Sequence, residues 1–285
     1  MAAPSFTSPG LIEKIRQQGH EEFAPRARRA LENHKIEWRR TTVAGVSCVE
    51  AKPRGRDCSR TLLFYFGGGY VYGSAYDDLC LSAVLSYHTG ARIIAPEYPL
   101  APEHPYPAAI DQGFAVYQQL VNNVAIDSFA IAGESAGANL AMALMLRARD
   151  AGIALPNAAA LLSPWCDLTL VESQQMKTPD DPTLHPEDLN NFAHAYAGNR
   201  DRHDPYISPL FGSFQNGFPR TMITTGTRDV LFYQCLRLGR SMIAAGVQVD
   251  LRVWEGLWHV FECYDELPEA AESLAEISDF LFRTQ

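Results

Sequence analysis

Residues 129–148 read FAIAGESAGANLAMALMLRA, a lone serine between two glycines where an apolar strand gives way to a helix-forming run. Phe129 to Ala132 has strand character, Gly133-Glu134-Ser135-Ala136-Gly137 reads as a turn, and the alanine- and leucine-rich stretch after it favours helix. In a G-x-S-x-G arrangement the strand-to-helix turn is strained, and glycines flank the serine because Cβ atoms there would collide with it. Such a turn lifts the Ser135 hydroxyl clear of a sheet and aims backbone N–H groups of the helix start at developing negative charge. The five letters recur by chance in roughly one glycine-rich chain in ten, so the rest of the sequence has to supply the context.

Around this segment strands and helices alternate. Apolar runs occur at 61–66 (TLLFYF), 91–95 (ARIIA), 129–132 (FAIA), 158–163 (AAALLS), 221–226 (TMITTG) and 249–254 (VDLRVW). Continuous rather than alternating apolar runs mark parallel strands buried on both faces. Residues 37–43 and 46–51 read as a hairpin turning at Ala44-Gly45, and helical patterns fall near 75–89, 106–122, 137–151, 230–245 and 266–283. The fold class is therefore α/β: eight strands, antiparallel at the start and mostly parallel, with helices on both faces. Two segments stand outside the alternation. Residues 1–36 read as two short amphipathic helices, one started by Ser8-Pro9 and the other by Pro25. Residues 167–205 form a polar insert between strands, with a helix over 186–197. Inserts at the ligand edge of such a sheet cover the site, so both segments are read as a cap over Ser135, within a single domain spanning 1–285.

Composition narrows the function. The 285 residues carry 24 Lys and Arg against 33 Asp and Glu, a net charge of −9 that argues against nucleic acid and anionic membranes as partners. No stretch approaches the roughly 18 apolar residues of a membrane span. The start, MAAPSFTSPG, has neither the basic nor the apolar region of a signal peptide, and a soluble, cytoplasmic protein is expected. Six scattered cysteines without a CxxC pair read as free buried thiols. There is no HExxH and no paired His/Cys spacing, so neither a metal nor a cofactor is expected.

A serine hydroxyl needs a base. Of the eight histidines, His259 is best placed, in a loop after the strand VDLRVW and before the last helical pattern. An acid then belongs between 135 and 259, in the chain order Ser…Asp…His. Asp229 sits just past TMITTG, where it would orient the imidazole; taken alone, that position equally suits a helix N-cap. A histidine base predicts loss of activity below about pH 6–6.5. Phe66-Gly67-Gly68-Gly69 follows the strand TLLFYF, where three glycines let backbone N–H groups approach a substrate closely. A dinucleotide loop would need glycine at 72, which is Tyr72. Tyr70, Tyr72, Trp165 and Trp258 flank the site and are candidates either for an aromatic substrate pocket or for ordinary core packing.

With these residues in place, the chain resembles the hormone-sensitive-lipase family of alpha/beta-hydrolases, the bacterial family IV esterases. The likeness spans about 60–265: the glycine loop, YPLAPEHPYPAAIDQ at 98–112, GESAG at 133–137, SPWCDLT at 163–169, DPYISPLFG at 204–212, GTRDVL at 226–231 and GLWHVF at 256–261. It implies an alpha/beta-hydrolase fold with a helical cap, and a triad of Ser135, Asp229 and His259. It further implies an oxyanion hole from the amides of Gly68, Gly69 and Ala136, and a homodimer through the last strand, 248–254. The implied activity is hydrolysis of a small-molecule carboxylic ester, of short to medium acyl chain, through an acyl-enzyme. Lactones, amides or thioesters are alternatives for the same machinery, and a non-catalytic receptor on the scaffold is a third reading. Two departures stand out. Phe66 replaces the histidine that usually opens the glycine loop, which calls for another partner to brace that loop. Phe232-Tyr233 replaces more polar residues after Asp229, which predicts a more apolar wall there.

Overall fold

A computed structural model of the chain describes residues 9–169, 180–215 and 217–282. Strands β1 (Ile36–Val43) and β2 (Val46–Pro53) form the predicted hairpin, followed by β3 (Thr61–Tyr65), β4 (Arg92–Pro96), β5 (Phe129–Glu134), β6 (Ala158–Leu162), β7 (Arg220–Gly226) and β8 (Val249–Trp254). They make one eight-stranded sheet in the order β1-β2-β4-β3-β5-β6-β7-β8. The β1–β2 and β2–β4 pairs are antiparallel and all others are parallel. Every residue of β3, β5 and β6 is buried, which accounts for their unbroken apolar sequences, whereas β1 is buried only at its two ends and β8 is half-exposed at the sheet edge.

Among the described residues seven helices accompany the sheet: α1 (Pro9–Asn33), α2 (Leu79–Thr89), α3 (Ala108–Asn123), α4 (Ser135–Asp150), α5 (Pro186–Ala197), α6 (Phe232–Ala244) and α7 (Pro268–Leu281). The pairs α3–α4 and α2–α7 pack together and enclose the sheet. No helix among the described residues is long and apolar enough to cross a membrane.

The N-terminal segment departs from the sequence reading. Residues 9–33 form one helix with Pro25 inside it, rather than two short ones. Proline removes a backbone donor and crowds the preceding turn, but Ala24, Ala27, Ala30 and Leu31 bury a continuous stripe across it. That stripe packs along α2, and the Arg26 guanidinium donates to the Glu22 carbonyl beside the break at 2.9 Å. Tertiary packing thus overrides the local signal. The proposed cap at Ser8 lies outside the described residues, as do 170–179 of the insert; α5 occupies 186–197 as read.

The junction around Ser135 is also tighter than a five-residue turn. Strand β5 runs to Glu134 and α4 starts at Ser135, so the chain reverses at a single residue held at φ 51°. That is a left-handed conformation seldom taken by non-glycine residues. Glycines make it fit. A Cβ on Gly133 would lie 2.6 Å from the Gly137 backbone, and one on Gly137 would lie 2.1 Å from the Tyr65 carbonyl at the end of β3. Gly137→Ala should therefore force β3 and α4 apart and destabilise the protein by roughly 2–3 kcal/mol or more, read as a lowered denaturant midpoint. An unchanged midpoint would show that the contact relaxes freely.

Candidate active site

Three loops at the carboxyl ends of β5, β7 and β8 meet at Ser135. Its Oγ is 2.9 Å from His259 Nε2, and His259 Nδ1 is 3.1 Å from Asp229 Oδ1. Ser135 and Asp229 are buried, and the His259 side chain is only 10 % exposed. The Asp229 carboxylate has three further donors close at hand. Thr225 Oγ1 donates to Oδ2 at 3.0 Å, the Leu231 N–H donates to Oδ1 at 2.8 Å, and the Ser163 hydroxyl lies against it. Ser163 Oγ in turn accepts the Val260 N–H at 3.1 Å, next to His259.

Burial by itself would push the Asp229 carboxyl up, but the facing His259 charge and these hydrogen bonds win and hold it below its ordinary range. Burial likewise opposes an imidazolium at His259. The charges of Asp229, then Asp181 and Glu134, outweigh it and push His259 up to about 9. This corrects the pH 6–6.5 limb read from an unperturbed imidazole, because three carboxyl groups surround the ring. Glu134 and Asp78 form a second buried acidic pair, hydrogen-bonded to each other, and desolvation raises both. Two facing carboxyls in one apolar site share a proton.

Above Ser135 lies a cavity of about 470 Å³. Its floor is Gly67, Gly68, Gly69 and Glu134; its walls come from α1 (Ile15, Gly19, Phe23) and from the insert and α5 (Thr183, Leu189, Phe192). Arg16 anchors α1 over the site by donating to the Val71 carbonyl at 2.9 Å and to both Glu103 oxygens at 2.8 and 2.7 Å. Gly68 and Gly69 sit at φ 84° and 61°. A Cβ at Gly67 would fall 2.0 Å from Glu134 Oε1, so only glycine lets the loop seat on that carboxyl. Neither these two amides nor that of Ala136, in the first turn of α4, donates to an acceptor among the described residues.

Of the four aromatic candidates, Tyr72 and Trp165 line the cavity and the other two do not. Tyr70 is fully buried, stacked on Tyr196 at 3.7 Å, and its hydroxyl donates to Asn139 at 2.7 Å. Trp258 packs with Leu257, Phe261 and Ala270, its ring 5.4 Å from Tyr264. Phe232 and Tyr233 are likewise absent from the cavity lining; they pack ring to ring at 5.4 Å. Phe66 is buried and stacks on Tyr98 at 4.1 Å. The Tyr98 hydroxyl donates to the carbonyls of Phe66 and Gly67 at 2.7 and 3.1 Å, bracing the glycine loop where a histidine was missed.

Residues 62–263 match the family described as the alpha/beta hydrolase fold. The chain belongs to that family. It is 33 % identical to an esterase of Acinetobacter venetianus, over 96 % of this chain and 94 % of that one. It is 33 % identical to an acetyl-hydrolase of Streptomyces hygroscopicus, over 84 % and 81 %. Among solved structures, a hormone-sensitive lipase from a metagenome library superposes with a TM-score of 0.83 at 30 % identity, covering 95 % of this chain and 96 % of the other. Within the alpha/beta hydrolases the chain is a member of the hormone-sensitive-lipase family of esterases.

The sequence reading missed Tyr98, Asp78 and Asp181. Glu134 carried a signal, its place beside Ser135; the others reach the site across long stretches of chain. Replacing Asp229 by Asn removes the charge that most raises His259, so the imidazole should titrate at clearly lower pH in the variant. NMR of the His259 ring resonances in both proteins measures this, and coincident titrations would refute the coupling.

Proposed function

We propose that Ser135, His259 and Asp229 are the catalytic triad of a serine carboxylesterase acting on short- to medium-chain esters. The observation that carries the reading is the unbroken hydrogen-bonded chain from Ser135 Oγ through both ring nitrogens of His259 to a buried carboxylate. His259 Nε2 takes the Ser135 proton as Oγ attacks the ester carbonyl, and Asp229 stabilises the imidazolium that forms. The amides of Gly68, Gly69 and Ala136 receive the oxyanion. His259 then protonates the leaving alcohol, and the acyl-enzyme is released by water that the same histidine activates. His259 must be neutral to act, so activity falls as pH drops through its raised pKa.

We read α1 and the described part of the insert, 180–205, as a cap over the cavity within one domain. Phe23, Leu189, Phe192 and Trp165 give the acyl side an apolar wall of limited size, which fits the acetyl-hydrolase among the relatives. Tyr72 and Trp165 are the substrate-contacting aromatics. Hydrolysis of p-nitrophenyl esters from acetate to palmitate should peak at the short end and collapse by about 10³-fold or more in Ser135→Ala. Activity that survives the mutation, or a protein inert on every ester, would defeat the reading.

The half-exposed edge strand β8, with Val253 45 % exposed, supports a homodimer through 248–254. Sedimentation should give twice the chain mass, and Val253→Lys should give the monomer; a monomeric wild type would end that proposal.

A further inference from the structure

Asp181 is a carboxylate that the mechanism above does not use, yet it touches both catalytic loops. It belongs to the insert, is 4 % exposed, and divides five donors between its two oxygens. Oδ2 accepts the backbone N–H groups of Val230 at 3.0 Å and His259 at 3.1 Å, one residue past Asp229 and at the base itself. Oδ1 accepts the Thr183 N–H and hydroxyl, both at 2.8 Å, and the Leu184 N–H at 3.2 Å. Pro182, Thr183 and Leu184 are cavity wall. One side chain therefore ties the wall of the substrate cavity to the backbones that carry Asp229 and His259.

We propose that Asp181 is a positioning residue that sets the Asp229–His259 pair and the insert as a single unit. This rests on the triad reading of the preceding subsection. The chemistry of the side chain makes the role specific. Each carboxylate oxygen accepts from a different segment, and an amide has only one acceptor oxygen. Asparagine at 181 must turn its NH₂ either toward the amides of Val230 and His259 or toward the Thr183 turn, setting donor against donor on one side. It also removes a negative charge close to the His259 ring, where Asp229, Asp181 and Glu134 are the acidic groups facing the imidazole from three different segments.

The test is Asp181→Asn and Asp181→Glu beside wild type, with Asp180→Asn as the control. Asp180 is fully exposed on the same segment and its carboxylate pairs with the half-exposed Arg228 guanidinium at 3.8 Å, so its loss removes an equal charge without removing an acceptor from the backbone of either loop. Fold is checked by circular dichroism and thermal melting. In Asp181→Asn, kcat should fall roughly 10- to 100-fold, the scale of hydrogen bonds to a charged group, with KM changed far less. The acid limb of kcat and the NMR titration of His259 should both move to lower pH. Asp181→Glu, which restores the charge at altered reach, should bring the titration back while kcat stays reduced. Asp180→Asn should match wild type throughout. A folded Asp181→Asn protein with wild-type kcat, or with reduced kcat and an unmoved His259 titration, would overturn the proposal. Should Asp181→Asn fail to fold, the Glu variant decides: wild-type kcat there overturns it as well. The NMR titration reads His259 whether or not any ester is hydrolysed. Failure of the esterase reading therefore shows as an inert wild type and leaves this result standing on its own.

Discussion

Everything in this molecule turns on how closely the backbones of β3, β5 and α4 approach at Ser135. The reversal from strand to helix happens at one residue with φ 51°, and it exists only because two glycines let main chain pass main chain at under van der Waals separation for any Cβ. The conformation is costly for a serine, of order 1–3 kcal/mol, so the surroundings must over-determine it. They do: β3, β5 and β6 are buried along their entire lengths, and 13 of the 16 residues of α4 are buried. A rigid sheet edge is what allows a strained serine to be held within hydrogen-bond reach of a histidine more than a hundred residues away in the chain.

That same edge concentrates acid. Asp229, Asp181 and Glu134 are buried facing one imidazole, Asp78 is buried against Glu134, and among the described residues no Lys or Arg lines the cavity. The four escape mutual repulsion in different ways. Asp229 is stabilised as an anion by His259 and by hydrogen bonds, the two Asp181 oxygens accept five hydrogen bonds, and Glu134 and Asp78 share a proton. The consequence for the base is a histidine with greater proton affinity than a free imidazole has. This strengthens it as an acceptor from Ser135 and moves its working range toward alkaline pH. Proton affinity and the fraction of neutral base pull in opposite directions, so the number of carboxylates near the ring is a tuning variable of the site.

How much of this is visible in a sequence depends on how local the cause is. The sheet is legible because a doubly buried strand leaves a continuous apolar run, and the hairpin because two short strand-like runs turn at Ala44-Gly45. The elbow, the order Ser135, Asp229, His259 and the glycine loop are legible because each needs specific residues at short spacing. The break assigned at Pro25 fails because the reading weighed one residue's backbone chemistry against nothing, whereas the apolar stripe on both sides packs along α2. Tyr70 and Trp258 fail as pocket residues for a related reason. Adjacency in sequence to Gly69 or His259 does not say which way a side chain faces, and both turn into packed aromatic clusters. Asp181 and Tyr98 are invisible for a third reason. Their roles exist only through contacts that bridge 78 and 32 residues, respectively, and one more Asp or Tyr in a polar segment carries no mark of that.

The substitution at Phe66 shows how such a distant contact makes a local departure tolerable. The glycine loop has to hold its amides in place before a substrate arrives, since preorganised donors stabilise an oxyanion without reorganisation. A loop of three glycines has little rigidity of its own. Here its carbonyls are pinned from below by the Tyr98 hydroxyl, its first residue is clamped by the ring stack of Phe66 on Tyr98, and Gly67 is pressed onto the Glu134 carboxyl, which accepts its N–H. Phe66 therefore supplies stacking area while Tyr98 supplies the hydrogen bonds, dividing between two residues a bracing task that one polar side chain could otherwise perform. The loop is thus fastened at its carbonyls and at Gly67, while the amides of Gly68 and Gly69 donate to no acceptor among the described residues. Rigidity at this point comes from what lies beneath the loop rather than from the residue that opens it.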